Sequence, residues 1–481
     1  MLKTFFLMGV VLLTMNTIYA QEILLKKKIE LRKPYKTNDG NNSLLYKSDD
    51  QITYFLNDTE NIYSYLVDKD TYQLVDSSSI TIPDKKLNIL IGCNIDETGH
   101  HYFFSNERKS KFLVKSILSS YGEEVKMPIK LKKEEFLETL CIKDKFFVFT
   151  LVNSSSIIKA YEFTGNQVSN TYTVDLSYYN FSKTEKKTLF DVLVEHADNY
   201  SKTLFNLQKI DINKLNSITD TSKKHKLYQN DKKIVITLDH ENNETKLITI
   251  FLSDFSHKIE VCFNNNLSNS PYTKSNSYLL NDYLFQIVGN SSNLSVRVND
   301  MKKKVLINHF EVNEKEDITW KNSPFFQKGF NWQNALLTQN NIELDTIKKT
   351  KQFLKKISAS DLSLSVYKLD NNLGVTIGGV KEKITYGSDY DPVTEVSTPS
   401  NNPEFSYKYY YFNTIIDPQN CKHITENSSL DKLNDIIKLN SDKNIYYPSL
   451  FIAEKGYLLS QYNKKEKLFY IKSFKNESID Q

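Results

Sequence analysis

Arginine is almost missing from this chain. Of 62 basic residues only Arg32, Arg108 and Arg297 carry a guanidinium. Bidentate recognition of phosphates and base edges leans on that planar fork, so sequence-specific nucleic-acid binding is not expected. Cysteine is scarce too. Cys93, Cys141, Cys262 and Cys421 lie far apart with no C-x-x-C, which excludes a disulfide-dense scaffold and a zinc ribbon. Four cysteines allow three pairings, and isolated core thiols suit the apolar runs around Cys93 and Cys262 better. Only 13 glycines and 10 prolines occur in 481 residues, too few for a collagen-like or low-complexity chain. Beyond residue 20 no apolar run approaches the length of a membrane-spanning helix. The net charge of +4 is too small to set up a strong steering field. G-x-S-x-G, H-E-x-x-H, a P-loop and the dinucleotide fingerprint are all missing, so no local motif points to a cofactor.

What is present begins with an export signal. Residues 1–20 place Lys3 ahead of an apolar run from Phe5 to Leu13 and end on Ala20, the order of a cleaved secretory segment. A polar lead-in over 21–44 follows. The chain is then rich in Asn, with 48 residues, and in Tyr and Phe, with 30 and 28. Aromatic residues favour strands, and Asn tolerates the left-handed backbone of tight turns.

From 45 to 475 short apolar or period-two runs alternate with polar turns, as in ITYFLNDTENIYSYLVDKDTYQLV (52–75) and KFFVFTLVNSSSIIKAYEF (145–163). KTLFDVLVEHADNYSKTLFNLQKI (187–210) is counted among these strand units. Their centres recur about every 40–60 residues, the spacing of four-stranded propeller blades. The expectation is an all-β fold: one β-propeller domain of about seven blades, within a range of six to eight. A run of β-sandwiches is the alternative, but no linker separates residues 50 and 320. A small insertion around 325–358 carries a helix near 341–357, with Ile342, Leu344, Ile347, Phe353, Leu354 and Ile357 at helical spacing. A second helix covers 428–440 with Ser429 as its cap, and 386–404 reads as a long loop or insertion. With its Tyr-Ala-Gln signal end at 19–21, its Asn/Lys/Tyr-rich composition and its recurring hairpins, the chain resembles exported β-propeller-like proteins of Bacteroidetes.

Chemistry-bearing residues are thinly spread. His100-His101 with Asp96 and Glu97 is the densest set of metal-capable side chains, yet neighbours on a strand point to opposite faces, so no metal site is expected. Asp389, Asp391 and Glu395 lack the spacing of a calcium loop. Asp58 with Glu60, and Asp68 with Asp70, read as turn chemistry. His225, in KKHK (223–226), reads as a solvated basic turn, and His240 as a strand end. His196 lacks the second histidine of a zinc-protease motif, and Cys421 with His423 makes only half of a zinc site. The sharper hint is aromatic. Tyr410 and Phe412 fall on one face of FSYKYYYFNTII (405–416), where they are exposed or meet the next blade. Together with Trp320 and Trp332 they form the candidate partner surface. The leading reading is an exported, non-catalytic binding or scaffold protein of the cell envelope, in the periplasm, at the outer membrane or outside the cell. It would engage an envelope protein or a glycan through propeller-face loops. The alternative is an envelope glycoside or peptide hydrolase with carboxylates at the central channel, and it requires two of them facing each other.

Overall fold

In the computed structural model, the described residues run from 21 to 475. Excepted are 33–44, 48–50, 59, 69, 72, 119–121, 143–144, 196–204, 265–271, 330–344, 392–395, 440–443 and 454–455. The proposed signal at 1–20, Trp332 and His196 lie outside them.

The strands follow the alternation. The first is β1 (Gln21–Lys28), then β2 (Leu45–Lys47), β3 (Gln51–Asn57), β4 (Asn61–Asp68) and β5 (Leu74–Thr81). Next come β6 (Ile89–Asp96), β7 (Gly99–Ser105), β8 (Phe112–Leu118) and β9 (Gly122–Lys126). β10 (Glu134–Ile142), β11 (Lys145–Val152), β12 (Ile157–Thr164) and β13 (Gln167–Asp175) precede helix α1 (Leu189–Glu195). β14 (Leu207–Ile210) and the one-turn helix α2 (Ile218–Thr221) lead to β15 (His225–Gln229), β16 (Lys233–Leu238), β17 (Glu244–Phe251) and β18 (His257–Phe263). Then follow β19 (Lys274–Leu280), β20 (Tyr283–Gly289), β21 (Asn293–Asp300) and β22 (Val305–Asn313). β23 (Phe325–Gly329), β24 (Asp345–Ile347) and helix α3 (Thr350–Ser358) precede β25 (Asp361–Leu369), β26 (Asn372–Asp391) and β27 (Val396–Ile416). Helix α4 (Ser428–Lys438) and strands β28 (Ile445–Ala453), β29 (Gly456–Asn463) and β30 (Leu468–Lys475) complete the chain.

These strands form seven sheets of four or five strands: β2–β5, β6–β9, β10–β13, β14–β18, β19–β22, β23–β27 and β28–β30 with β1. Pairing is antiparallel except between β14 and β15. The first strand of the chain completes the last sheet, with Gln21 opposite Phe474 and Lys28 opposite Leu468. The polar lead-in of the sequence reading therefore begins as a strand, because its Leu24 and Leu25 have an apolar neighbour to cover.

Apolar clusters join each sheet to the next, and the series returns to its start. Phe55 and Tyr102 link the first two sheets, Phe112 and Phe136 the second and third, Phe149 and Ile236 the third and fourth. Tyr228, Tyr278 and Leu362 carry the contact through the fourth, fifth and sixth. Tyr367 and Leu459 join the sixth and seventh, and Phe469 with Tyr54 returns from the seventh to the first. In five of the sheets one edge strand buries almost nothing: β5, β9, β13, β18 and β22 have at most one buried residue each. By contrast β6, β15, β19 and β25 are mostly buried.

Several sequence expectations change. The unit at 187–210 contains α1, whose Leu189, Val192 and Leu193 pack in a cluster with Phe205. The predicted helix 341–357 is shorter: α3 starts at Thr350, because Asp345–Ile347 pairs with Phe325–Gln327 instead. Phe353, Leu354 and Ile357 bury as the spacing requires. Helix α4 takes Asn427, not Ser429, as its N-cap. The loop expected at 386–404 is instead the outer part of the β26–β27 hairpin, paired as far as Asp391 and Val396. All four cysteines are free thiols.

Candidate functional site

A parallel strand pair cannot be closed by a tight turn, so β14 and β15 need a crossover. Residues 211–224 supply it, and they run past the first strands of the surrounding sheets. Asn216 folds the segment on itself: its amide donates to the Asp211 carbonyl at 2.8 Å, the Lys214 carbonyl at 3.1 Å and the Tyr278 hydroxyl at 3.1 Å. Ser217 then caps α2, accepting from the Asp220 N–H at 3.1 Å and donating to the Asp220 carboxylate at 2.7 Å.

Outward contacts reach several neighbouring sheets. Lys209 donates to the Thr139 carbonyl of β10 at 2.7 Å. The Ile452 N–H of β28 donates to the Asn213 carbonyl at 2.8 Å, beside a bridge between Lys214 and Phe451. From β25, Ser363 donates to the Ile218 carbonyl at 2.8 Å and Ser365 to the Asn216 carbonyl at 3.2 Å. From β19, Asn276 donates to the carbonyls of Thr221 and Ser222. The segment thus touches β19, β25 and β28 of the fifth, sixth and seventh sheets while belonging to the fourth, and Lys209 of the adjoining β14 reaches β10 of the third. The cleft beside the segment, lined by Leu215, Ile218, Tyr367, Tyr409 and Tyr411 among others, has space for about one water.

Its titratable groups are conditioned by burial. Desolvation draws the Lys214 ammonium below the ordinary lysine range, against the pull of the Asp211 carboxylate. Desolvation also raises Asp220 above the usual carboxylate range, although the Ser217 hydrogen bonds oppose it. Next to the segment lies a fully buried polar knot. Lys226, which is 0% exposed, donates to Asn276 and stands 3.6 Å from Asp239. Asp239 accepts from Thr245 and Ser277, each at 2.7 Å. Burial pulls Lys226 down to about 8, with Asp239 opposing. KKHK is therefore not a solvated turn: His225 and Lys226 are core residues of β15.

A second constellation has the composition of a hydrolase triad. His101 stands between Ser116, 2.8 Å from Nδ1, and Asp96, 3.1 Å from Nε2. Burial would raise the Asp96 carboxyl, but hydrogen bonds from Thr98 and His101 outweigh it and hold the group below its usual range. In a serine nucleophile the base faces an open oxyanion site. Here His101 and Ser116 are 1% and 0% exposed, and a Cβ on Gly165 would sit 3.4 Å from the ring. The arrangement pins the β6–β7 hairpin to β8. His100 turns to the other face, 3.2 Å from Asp76, as strand alternation requires. Among the described residues no three His, Cys, Asp or Glu side chains gather as a metal site.

The aromatic residues singled out in the sequence do come together, but inside. Trp320 lies 5.3 Å from Phe412, and Phe412 lies 5.4 Å from Phe353. Tyr410 joins the same cluster, and exposures of 8%, 4% and 0% for Trp320, Tyr410 and Phe412 leave no ring at the surface. The opposite parity is also covered: Tyr409 packs on Ile218 and Val380. Asp58 and Asp68 make the turn hydrogen bonds expected of them. His240 bonds the Phe181 carbonyl at 2.7 Å, and His423 bonds Asn322 at 3.1 Å. The crossover 211–224 was missed because its polar sequence carries no alternation; only the gap between the apolar ends of β14 and β15 marks it.

Among the described residues no helix is long and apolar enough to cross a membrane. No protein-family model and no curated protein matches the chain. Solved structures with β-propeller folds are similar at low level. The Dos1 propeller shares 10% identity at a TM-score of 0.34, over 95% of this chain and 97% of that one. The WD40 domain of Toxoplasma gondii coronin shares 8% at 0.28, over 84% and 88%. A prolyl endopeptidase structure shares 8% at 0.32, over 94% of this chain, which spans 50% of that enzyme. Likeness at this distance transfers no function.

Proposed function

We propose that the protein is an exported, non-catalytic binding or scaffold protein of the cell envelope, built as a closed seven-bladed β-propeller. In this reading each sheet is a blade, β1 closes the ring onto β30, and a protein or glycan partner is engaged at the ends of the ring. The observation that carries it is the crossover 211–224. In this reading the centre of the ring, where a propeller hydrolase would line an open channel with carboxylates, is filled by the chain's own Asn216, Ile218 and Thr221, bonded to the fifth and sixth sheets. Loops can recruit partners without local sequence motifs. The test is affinity capture of residues 21–481 from envelope extract, with mass-spectrometric readout and N-terminal sequencing of the native protein. A stoichiometric partner and a mature chain starting at Gln21 are expected. Turnover of glycosides or peptides by the pure protein, lost on changing Asp220, would overturn the reading in favour of the hydrolase.

A further inference from the structure

Six of the seven sheets are each built from one continuous stretch of chain; the last takes its outer strand, β1, from the opposite end. The hold on that strand is uneven. From Glu22 to Lys28 no side chain is buried: Leu24 and Leu25 are partly covered and the other five are exposed, Ile23 to 50%. In the same sheet β29 buries every residue from Gly456 to Tyr462. The ladder to β30 shifts register between Ile23 and Leu25. The ammoniums of Lys26 and Lys472 stand 5.8 and 5.6 Å from the one Tyr470 ring, like charge beside like. Hydrophobic stabilisation follows the apolar area covered, so this run contributes little of it. Without β1, the strands β28–β30 still form a three-stranded sheet, rooted by Leu459 and Phe474 in one apolar cluster and by Leu458 and Ile471 in another.

Recognition sits at the strand's far end. Ile29 is 5% exposed. Its N–H donates to the Lys467 carbonyl at 2.9 Å, and its carbonyl accepts from the Tyr462 hydroxyl at 3.1 Å. Lys467 donates to Glu30 at 2.7 Å. The Arg32 N–H donates to the Asp58 carboxylate at 3.2 Å, and the Arg32 guanidinium pairs with Glu60 at 2.5 Å. Residues 21–32 therefore carry a main-chain ladder, one buried apolar anchor and two ion pairs, the elements by which an added strand is recognised at a sheet edge. All of these lie within the segment or on the surface that receives it, so the same segment from another chain presents the same groups. The occupant that matches every contact is a second copy. Exchange between two copies closes on itself, each giving one strand and accepting one.

We propose that residues 21–32 form a separable strand, and that the β30 edge, with Asp58 and Glu60 beside it, accepts this segment from a second copy of the chain to give strand-exchanged dimers. The chain's own segment competes at an effective concentration on the order of mM, as a tethered ligand does. Monomers therefore prevail in dilute solution, and dimers form where copies are crowded or the strand has been opened. The inference goes beyond the binding role proposed above and does not depend on it.

The test uses the full mature chain, residues 21–481. Hydrogen exchange should release the amides of 22–28 well before those of β29, the order expected of a weakly held element. At sub-denaturing urea, a fluorescent peptide of residues 21–32 should enter the chain, with a rise in the peptide's anisotropy. An Ile29→Asp peptide should bind about tenfold more weakly or worse, since it buries a charge without a partner. Two differently tagged copies, mixed at high concentration in the same urea and returned to buffer, should co-purify as dimers that excess peptide suppresses. Amides of 22–28 that exchange only with global unfolding would overturn the proposal. So would peptide uptake indifferent to Ile29→Asp, copies that never co-purify, or dimers untouched by the peptide, whose interface would then lie elsewhere.

Discussion

Lys214 forms an antiparallel backbone bridge with Phe451, and its ammonium lies 5.1 Å from the centre of the same phenyl ring. A residue of the crossover is thereby held twice by the first strand of the last sheet. Phe451 also meets Tyr54 edge-on at 6.0 Å, so one side chain joins the crossover, the last sheet and the first. Phe451→Ala should cost about 3–5 kcal/mol, as truncation of a buried phenylalanine does. Phe451→Leu, which keeps most of the volume, should cost much less. Urea unfolding of the two variants checks this; equal losses would show that the ring has no joining role.

Asn216 shapes the crossover with a single amide. Asn216→Ala removes donors to the Asp211 and Lys214 carbonyls and the Tyr278 hydroxyl and leaves these part-buried oxygens without them. A loss of about 1–3 kcal/mol is expected, seen as a lower melting temperature. Hydrogen exchange should accelerate first in residues 211–224 and at Ile452. Uniform acceleration across all seven sheets would contradict the local role.

Ser116 serves as a structural partner of His101. Ser116→Ala should lower stability by about 1–2 kcal/mol. A fluorophosphonate probe should leave Ser116 unmodified in the native protein. Mass-spectrometric detection of the probe on Ser116 would reverse the assignment and revive acyl-transfer chemistry.

Lys226 sets a pH dependence. Burial lowers it to about 8 from an ordinary 10.5, so between these values the unfolded chain binds the proton that the folded chain has released. Stability from this group therefore rises as pH climbs from about 8 toward 10.5, and the cost of burying the charged form is fully felt below 8. The stability difference between wild type and Lys226→Met should shift in favour of wild type across that window. A difference that stays flat from pH 7 to 10 would remove the claim.

Strands and hairpins were legible in the sequence because their signal is local. KFFVFTLV over 145–152 buries its interior positions as β11, and Leu430, Leu433 and Ile437 bury one side of α4. The adjacent pair His100-His101 divides between two faces, as the alternation demanded. Where the reading failed, both alternatives satisfied the same local pattern. Tyr410 and Phe412 suited an exposed stripe and a sheet-to-sheet interface equally. Lys226 suited a wet turn until Asp239 and Asn276 arrived from other strands. The stretch 386–404, rich in Ser, Asn and Pro, had loop composition and yet pairs Tyr386 with Pro403 and Ser388–Asp391 with Val396–Pro399, across a register shift.

The sequence by itself determined the all-β character, the recurrence of short strands and the scarcity of catalytic motifs, since period-two burial and turn chemistry act over a few residues. Only the tertiary structure decided that β1 completes the last sheet, that the crossover 211–224 bonds to the fifth, sixth and seventh sheets, and that the aromatic stripe is core. Those outcomes depend on contacts between residues far apart in the chain. Whether a strand face is wet depends on which sheet packs against it, and periodicity within the strand holds no record of that neighbour.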